Sequence, residues 1–130
     1  MTAGGPFFVS LPFSLYLCTS RRRLVTLESR YYAGMNWLAA GSDAETWIFK
    51  DRGVLICVVN VDPRSHVEPL GLVTVLAHEA QHIWQACIEQ MNEREAGSEF
   101  EAYTVQAVVD RLLRLYENQQ RVKLAWMKEK

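Results

Sequence analysis

Apolar positions along the chain follow two different periods, and these predict the strands first. The nearly continuous apolar run Val54–Val61 is typical of a strand that is covered on both faces. The preceding Asp51-Arg52-Gly53 predicts a short hairpin turn, with a second strand at residues 47–49. A further extended segment is expected at residues 7–17, interrupted at Pro12. The chain therefore contributes at least three segments to one sheet.

Three other segments have apolar residues spaced by three and four, which is typical of amphipathic helices. The first is expected from the candidate N-cap Ser20 to about Met35. The second has Pro69 in its first turn and continues to about Met91. The third begins at Ser98 and has an apolar stripe that comprises Phe100, Tyr103, Val108, Leu112, Leu115 and Tyr116.

This order of elements predicts a single small α+β domain over residues 1–130. Its short, mostly antiparallel sheet would pack on the second helix and on the long helix that follows it. Residues 119–130 are expected to form a loosely packed, charged tail. The loops fall at residues 40–43, 62–65 and 92–97, where polar and helix-breaking residues collect.

Composition narrows the class of protein. With 130 residues, 49% hydrophobic and 22% charged, the chain can bury the core of one globular domain. A net charge of −1 without a basic stripe argues against nucleic acid and against an anionic membrane as partners. Three widely spaced cysteines form neither a disulfide framework nor a metal-binding pair, which favours a reducing compartment. We expect a cytoplasmic protein, with a signal peptide in residues 7–18 as the alternative.

The second helix carries the chemistry. His78-Glu79-Ala80-Gln81-His82 is an H-E-x-x-H motif inside an apolar run. Because residues four apart share one face of a helix, His78 and His82 can hold one Zn²⁺ ion between them, and Glu79 can reach a water on that ion. A helix that buried these polar side chains without a bound partner would leave them unsatisfied. The sequence therefore predicts a zinc site.

A zinc site with two histidines usually has a third protein ligand. We expect Glu101, because the 18 residues between it and His82 can turn the chain back along the motif helix. Glu99 is the reserve, and His66 is expected to lie on a loop. Ser98 and Glu101 also have the spacing of a capping box, in which Glu101 would bond to the backbone at the helix start instead. Both roles for Glu101 stay open.

The motif, together with Glu99-Phe100-Glu101-Ala102, resembles the zincin metallopeptidases of the gluzincin type, in which a glutamate on a following helix completes the zinc site, as in thermolysin. It is also similar to small, largely uncharacterised phage and prophage proteins with the same helix pair. The resemblance covers residues 73–106. It implies that His78, His82 and Glu101 bind zinc and that Glu79 is the general base. Side chains that could steady an oxyanion are not assigned by it, and the candidates are Tyr103, Tyr116 and His66.

Three functions are compatible with these residues. The leading hypothesis is a zinc-dependent metallopeptidase, in which a zinc-activated water attacks a peptide bond and Glu79 takes its proton. Its peptide or protein substrate would pair with the edge of one of the two hairpin strands. The alternative is a non-catalytic, zinc-stapled structural or interaction protein of phage or prophage origin. A third is an assembly module with an inactive motif, whose partner surface would include Trp37 or Trp126. The sequence does not indicate an oligomeric state.

Overall fold

The computed structural model describes residues 11–65, 68–91 and 98–120. In chain order the elements are β1 (Ser14–Cys18), α1 (Arg21–Tyr31), β2 (Ala44–Asp51), β3 (Val54–Val61), a one-turn 3₁₀ helix (Pro63–Ser65), α2 (Pro69–Met91) and α3 (Ser98–Gln120). Three strands and three helices form a small α+β domain, which confirms the predicted class. The predictions for residues 7–10, for His66, for the loop 92–97 and for residues 121–130 with Trp126 lie outside the described residues.

The sheet is mixed, with β3 in the centre and the strand order β1-β3-β2. β2 and β3 are antiparallel, as expected for a hairpin, whereas β1 runs parallel to β3. The parallel pair is possible because the chain leaves β1 through α1 before it returns as the hairpin. Every residue of β3 after Val54 is buried. The prediction that this strand is covered on both faces is therefore confirmed.

The hairpin turn has only two residues. Asp51 pairs with Val54, and the intervening Arg52 and Gly53 have φ values of 54° and 82°. Such turns need a positive φ at both positions, which glycine adopts without a steric cost. β2 begins at Ala44, three residues before the predicted strand start, because its pairing with β3 continues to the end of that strand.

Helix α1 ends at Tyr31, before the predicted end at about Met35. Tyr32 is left-handed, with φ 52° and ψ 47°, and its N–H donates to the Glu28 carbonyl oxygen at 2.8 Å. The Glu28 carboxylate then accepts from the N–H groups of Gly34, at 2.8 Å, and Met35, at 3.0 Å. Met35 is buried as part of the core, but it lies in the segment after α1 and not in the helix itself. The N-cap prediction for Ser20 is confirmed, since its Oγ accepts from the N–H of Arg23 at 3.2 Å.

Two layers of side chains pack on the two faces of the sheet. Successive residues of a strand point to opposite faces, so Cys57, Val59 and Val61 join α2 and α3 in the main core. Ile56 and Val58 point the other way, towards a smaller cluster with Leu24 of α1. From the two long helices the main core takes Leu72, Leu76, Ala80, Ile83, Cys87, Val108, Leu112 and Tyr116.

Gln119 joins the last turn of α3 to the end of β1. Its Oε1 accepts from the N–H of Thr19 at 3.2 Å and from the Thr19 hydroxyl at 2.8 Å. Its Nε2 donates to the Leu17 carbonyl oxygen at 2.7 Å. Residues 119 and 120 thus belong to α3, although the sequence placed them in the tail.

The three cysteines are free and buried. Burial raises the pKa of Cys18 to about 11, against a smaller opposing effect of Arg23. Burial, and then the neighbouring Cys87, raise the pKa of Cys57 to about 12. These thiols therefore stay protonated and pack as apolar groups. Within the described ranges, no helix has both the length and the apolar character to cross a membrane.

Candidate metal centre

Helix α2 turns the two motif histidines towards solvent and the motif glutamate towards the protein. The rings of His78 and His82 have centroids 4.8 Å apart and planes at 86°. Their Nε2 atoms are 3.2 Å apart. Residues one helical turn apart thus direct their outer ring nitrogens to the same place.

The separation of these nitrogens fits a shared zinc ion. Zinc–nitrogen bonds are about 2.0–2.1 Å long and tetrahedral, so two ligating nitrogens lie about 3.3 Å from each other. The 3.2 Å between His78 Nε2 and His82 Nε2 is close to this value. Imidazole nitrogen is also a ligand that zinc prefers. In the structure the two nitrogens share a hydrogen bond, so zinc would replace this contact and would need both nitrogens without a proton.

Glu79 lies beside the histidines but is only 6% exposed, and no other carboxylate among the described residues is buried. Its Oε1 accepts a hydrogen bond from the Thr46 hydroxyl at 2.5 Å. Thr46 is in β2, between Ala44 and Ile48, which pack against the main core on the α2 side. A carboxylate in such a place is costly unless it is hydrogen-bonded. The strand thus supplies the partner that makes this burial tolerable.

A cleft of about 640 Å³ separates β2 from α2 and contains the motif. The strand lines it with residues 44–48, and the helix lines it with His78, Glu79, His82, Gln85, Ala86 and Glu89. Among the described strands, β2 is at an edge of the sheet, paired with β3 alone. Three glutamates and no lysine or arginine line this space, so the cleft carries negative charge before any cation is bound.

The predicted third ligand, Glu101, contacts the motif helix through Gln81. Its Oε2 accepts from Gln81 Nε2 at 3.1 Å. At about 100° per residue, Gln81 and Glu79 flank the histidine face of α2 on opposite sides. The rings of Trp84 and Phe100, with centroids 5.5 Å apart, pack the start of α3 against α2 beside this contact.

The structure brings Glu101 to Gln81 on the motif helix and does not join it to the histidine pair. In the part of the chain that the structure describes, no group of three or more His, Cys, Asp or Glu side chains could hold a metal ion. The ligand role of Glu101 stays a prediction. Glu99 lies in α3, but its side chain is outside the described part of the structure. The same holds for the side chain of Ser98, on which the capping alternative depends, and for the whole of His66.

Neither described tyrosine proposed for the oxyanion lines the cleft. Tyr103 is 54% exposed on α3. Tyr116 is buried in the main core, where burial, and then Asp62, raise the pKa of its phenol. We therefore assign neither Tyr103 nor Tyr116 as a hydrogen-bond donor to an oxyanion.

Thr46 is the residue at this site that sequence reasoning missed. In a strand that starts at Ala44, the residues Ala44, Thr46 and Ile48 share one face, because alternate residues of a strand point to the same side. A prediction of that longer strand would have placed Thr46 on the core face. Comparisons of the chain with protein-family models, with curated proteins and with solved structures found no match. The likeness to gluzincins therefore depends on the motif residues alone.

Proposed function

We propose that this chain is a zinc-dependent peptide hydrolase with its reaction centre in the cleft between β2 and α2. One observation supports this more than any other. Two imidazole nitrogens, 3.2 Å apart, lie next to a buried carboxylate at the wall of an open cleft. A pair of nitrogens for the metal and an acid beside it are the minimum that the H-E-x-x-H reaction requires.

In this proposal His78 and His82 hold the ion through Nε2. Glu101 is the proposed third ligand, and it would have to leave Gln81, which its carboxylate contacts on the motif helix, and move to the histidine pair to bind the ion. Zinc in such a site polarises the carbonyl that is attacked and lowers the pKa of water. Glu79 takes a proton from the attacking water and passes it to the amine that leaves. Its position in the cleft wall suits this exchange, because the surrounding protein limits its access to bulk solvent.

The substrate would lie along β2. The hairpin offered two strands for this role. Among the described residues β3 is paired on both sides, whereas β2 is paired on one side and lines the cleft. An extended peptide can add to such an edge by backbone hydrogen bonds. The proposed substrate class is therefore an extended segment of peptide or protein, with its scissile bond opposite the histidine pair.

The proposal is tested by replacing Glu79 with Gln. The protein is loaded with zinc, its metal content is measured, and hydrolysis of quenched fluorescent casein is followed. We expect one zinc per chain in both proteins and a loss of hydrolysis by about 10²- to 10⁴-fold in the variant, the usual contribution of a general base. Glu68→Gln is the matched control, since Glu68 is exposed ahead of the same helix and does not line the cleft.

Two results would contradict the proposal. Equal hydrolysis by wild type and the Glu79 variant would exclude Glu79 as the base. A wild-type protein without bound zinc, or with zinc that is kept after both His78→Ala and His82→Ala, would exclude the metal centre itself.

The alternative is a zinc staple without catalysis. It is favoured by the Gln81–Glu101 contact, because this contact already joins the two helices that such a staple would hold. X-ray absorption of the zinc-loaded protein separates the two functions. An ion with three protein ligands and one water indicates a catalytic site, whereas four protein ligands indicate a structural one.

A further inference from the structure

We infer that Thr46 is a positioning residue for the proposed general base. It holds one carboxylate oxygen of Glu79 against the edge strand, so that the other oxygen is available in the cleft. This inference rests on the proposed function, but the link between Thr46 and Glu79 can be measured without any turnover.

The first argument is the hydrogen-bonding of the carboxylate. The Thr46 hydroxyl donates to Glu79 Oε1 at 2.5 Å, and Glu79 makes no other side-chain hydrogen bond within the described residues. Hydrogen bonds to a charged group are shorter and roughly twice as strong as neutral ones. Thr46 therefore supplies the side-chain hydrogen bond that orients this buried carboxylate.

The second argument is the cost of this arrangement. An apolar residue at position 79 would extend the core face that Ala80 and Ile83 already form, and it would need no partner. The fold instead buries a carboxylate and provides a hydroxyl for it on a different element, 33 residues away in the chain. Polar pairs of this kind are retained at functional sites at the expense of stability.

The third argument is the place of Thr46 in the sheet. β2 is the strand along which the proposed substrate binds, and Thr46 is near the middle of the segment that lines the cleft. The same strand thus contacts the base through a side chain and offers its backbone edge to the peptide. A substrate seated on β2 would have its scissile bond in a fixed relation to Glu79.

The first experiment is a double-mutant cycle in the zinc-free, full-length protein, followed by urea unfolding. The variants are Thr46→Val, Glu79→Met and the double variant. Val keeps the shape of Thr without the hydroxyl, and Met keeps the length of Glu without the acceptor. We expect Thr46→Val to reduce the folding equilibrium constant about 10- to 100-fold in the wild-type background, and only about twofold in the Glu79→Met background.

Thr74→Val is the matched control for the loss of a hydroxyl. Thr74 is on the exposed side of α2, where its Oγ1 donates to the Leu70 carbonyl oxygen at 2.9 Å. Its replacement should have the same small effect in both backgrounds. If Thr46→Val also has equal effects in both backgrounds, the two side chains are not linked and the inference is overturned.

The second experiment tests the positioning role in the zinc-loaded protein. Thr46→Val should keep one zinc per chain and an unchanged KM for casein, while kcat falls about 10- to 100-fold, because a misplaced reacting group costs rate and not binding. Thr46→Ser should restore kcat, since serine keeps the hydroxyl. A raised KM with normal kcat would overturn the inference and make Thr46 a substrate-binding residue.

The two experiments also separate the failure of this inference from that of the proposed function. A protein that binds zinc but hydrolyses nothing, and still shows the Thr46–Glu79 linkage, would contradict both the hydrolase and the positioning role. Its hydrogen bond would then be purely structural. An active wild type whose kcat is unaffected by Thr46→Val contradicts the positioning role alone.

Discussion

Replacing Gln119 with Met should weaken the whole domain, although the residue is far from the candidate metal centre. The Gln119 amide makes three hydrogen bonds with the end of β1: two are accepted from Thr19 and one is donated to Leu17. Methionine has about the same length and helix propensity, so the substitution removes these bonds and leaves the helix itself unchanged.

The expected size of the effect follows from the environment of these groups. A neutral hydrogen bond contributes about 0.5–1.5 kcal/mol, so the three together give about 1.5–4.5 kcal/mol. The estimate lies towards the upper end because Leu17 and Thr19 are only 4% and 5% exposed, and water cannot readily replace the lost partner. A typical domain has a free energy of unfolding of about 5–15 kcal/mol, so this loss is a large fraction of the total.

The measurement is urea unfolding followed by tryptophan fluorescence, together with thermal unfolding. Tm should fall by roughly 10 °C for a chain of this size. Gln120→Met is the control, because it makes the same change one residue further along α3, whereas the side-chain hydrogen bonds from this helix to the end of β1, among the described residues, all come from Gln119. If both variants lose the same free energy, to within about 0.5 kcal/mol, the contacts of Gln119 with β1 do not stabilise the fold and the reasoning is wrong.

Two further predictions concern other parts of the fold. The N–H groups of Gly34 and then Met35 lower the pKa of the Glu28 carboxyl below its ordinary value of 4.5. A lowered pKa in the folded state adds stability above pH 4.5, and this stability is lost as the pH falls through the folded-state pKa. The wild-type protein should therefore lose its stability advantage over Glu28→Gln in that range. Chemical denaturation that gives a constant advantage from pH 6 to pH 3 would contradict this. All three thiols are buried and free, and burial is the larger cause that raises the pKa of the Cys57 thiol to about 12. A disulfide reagent at pH 8 should therefore label the native protein only as fast as the protein unfolds. Rapid labelling of one thiol per chain would show that one of them is accessible.

The elements that the sequence predicted best are those with several agreeing local signals. Helix α2 has the predicted bounds because a proline opens it and its apolar residues keep a helical spacing for six turns. The hairpin turn was also found, because a glycine next to two apolar runs is a strong local signal. In both cases neighbouring residues alone are enough to fix the backbone.

The misplaced boundaries depend on specific contacts that local propensity does not indicate, one within a few residues and one across the sheet. The end of α1 was predicted too late, because a tyrosine in the left-handed conformation is not a usual helix stop and its place depends on the turn that Glu28 holds. The start of β2 was predicted too late, because Ala44 and Glu45 have little preference for strands and pairing with β3 supplies what they lack. Local propensity is overridden there by tertiary structure.

The candidate site divides in the same way. His78, Glu79 and His82 were found because their spacing on one helix carries the chemistry. Thr46 was missed because its role exists only once a strand 33 residues away lies against α2. The place of Glu101 next to Gln81 depends on how two helices cross, and no pattern within either helix determines that.

The link between Gln119 and β1 also has a consequence for how the chain is made. Thr19 and Gln119 are 100 residues apart, and nascent chains grow at about 5–20 residues per second, so Thr19 waits roughly 5–20 s for this partner. During that interval β1 can be held by α1, where the Tyr31 hydroxyl lies 2.8 Å from that of Tyr16, and later by β3. Contacts between distant residues are also the slowest to form by diffusion. The contact between Thr19 and the last turn of α3 is therefore among the last in this domain to form during synthesis.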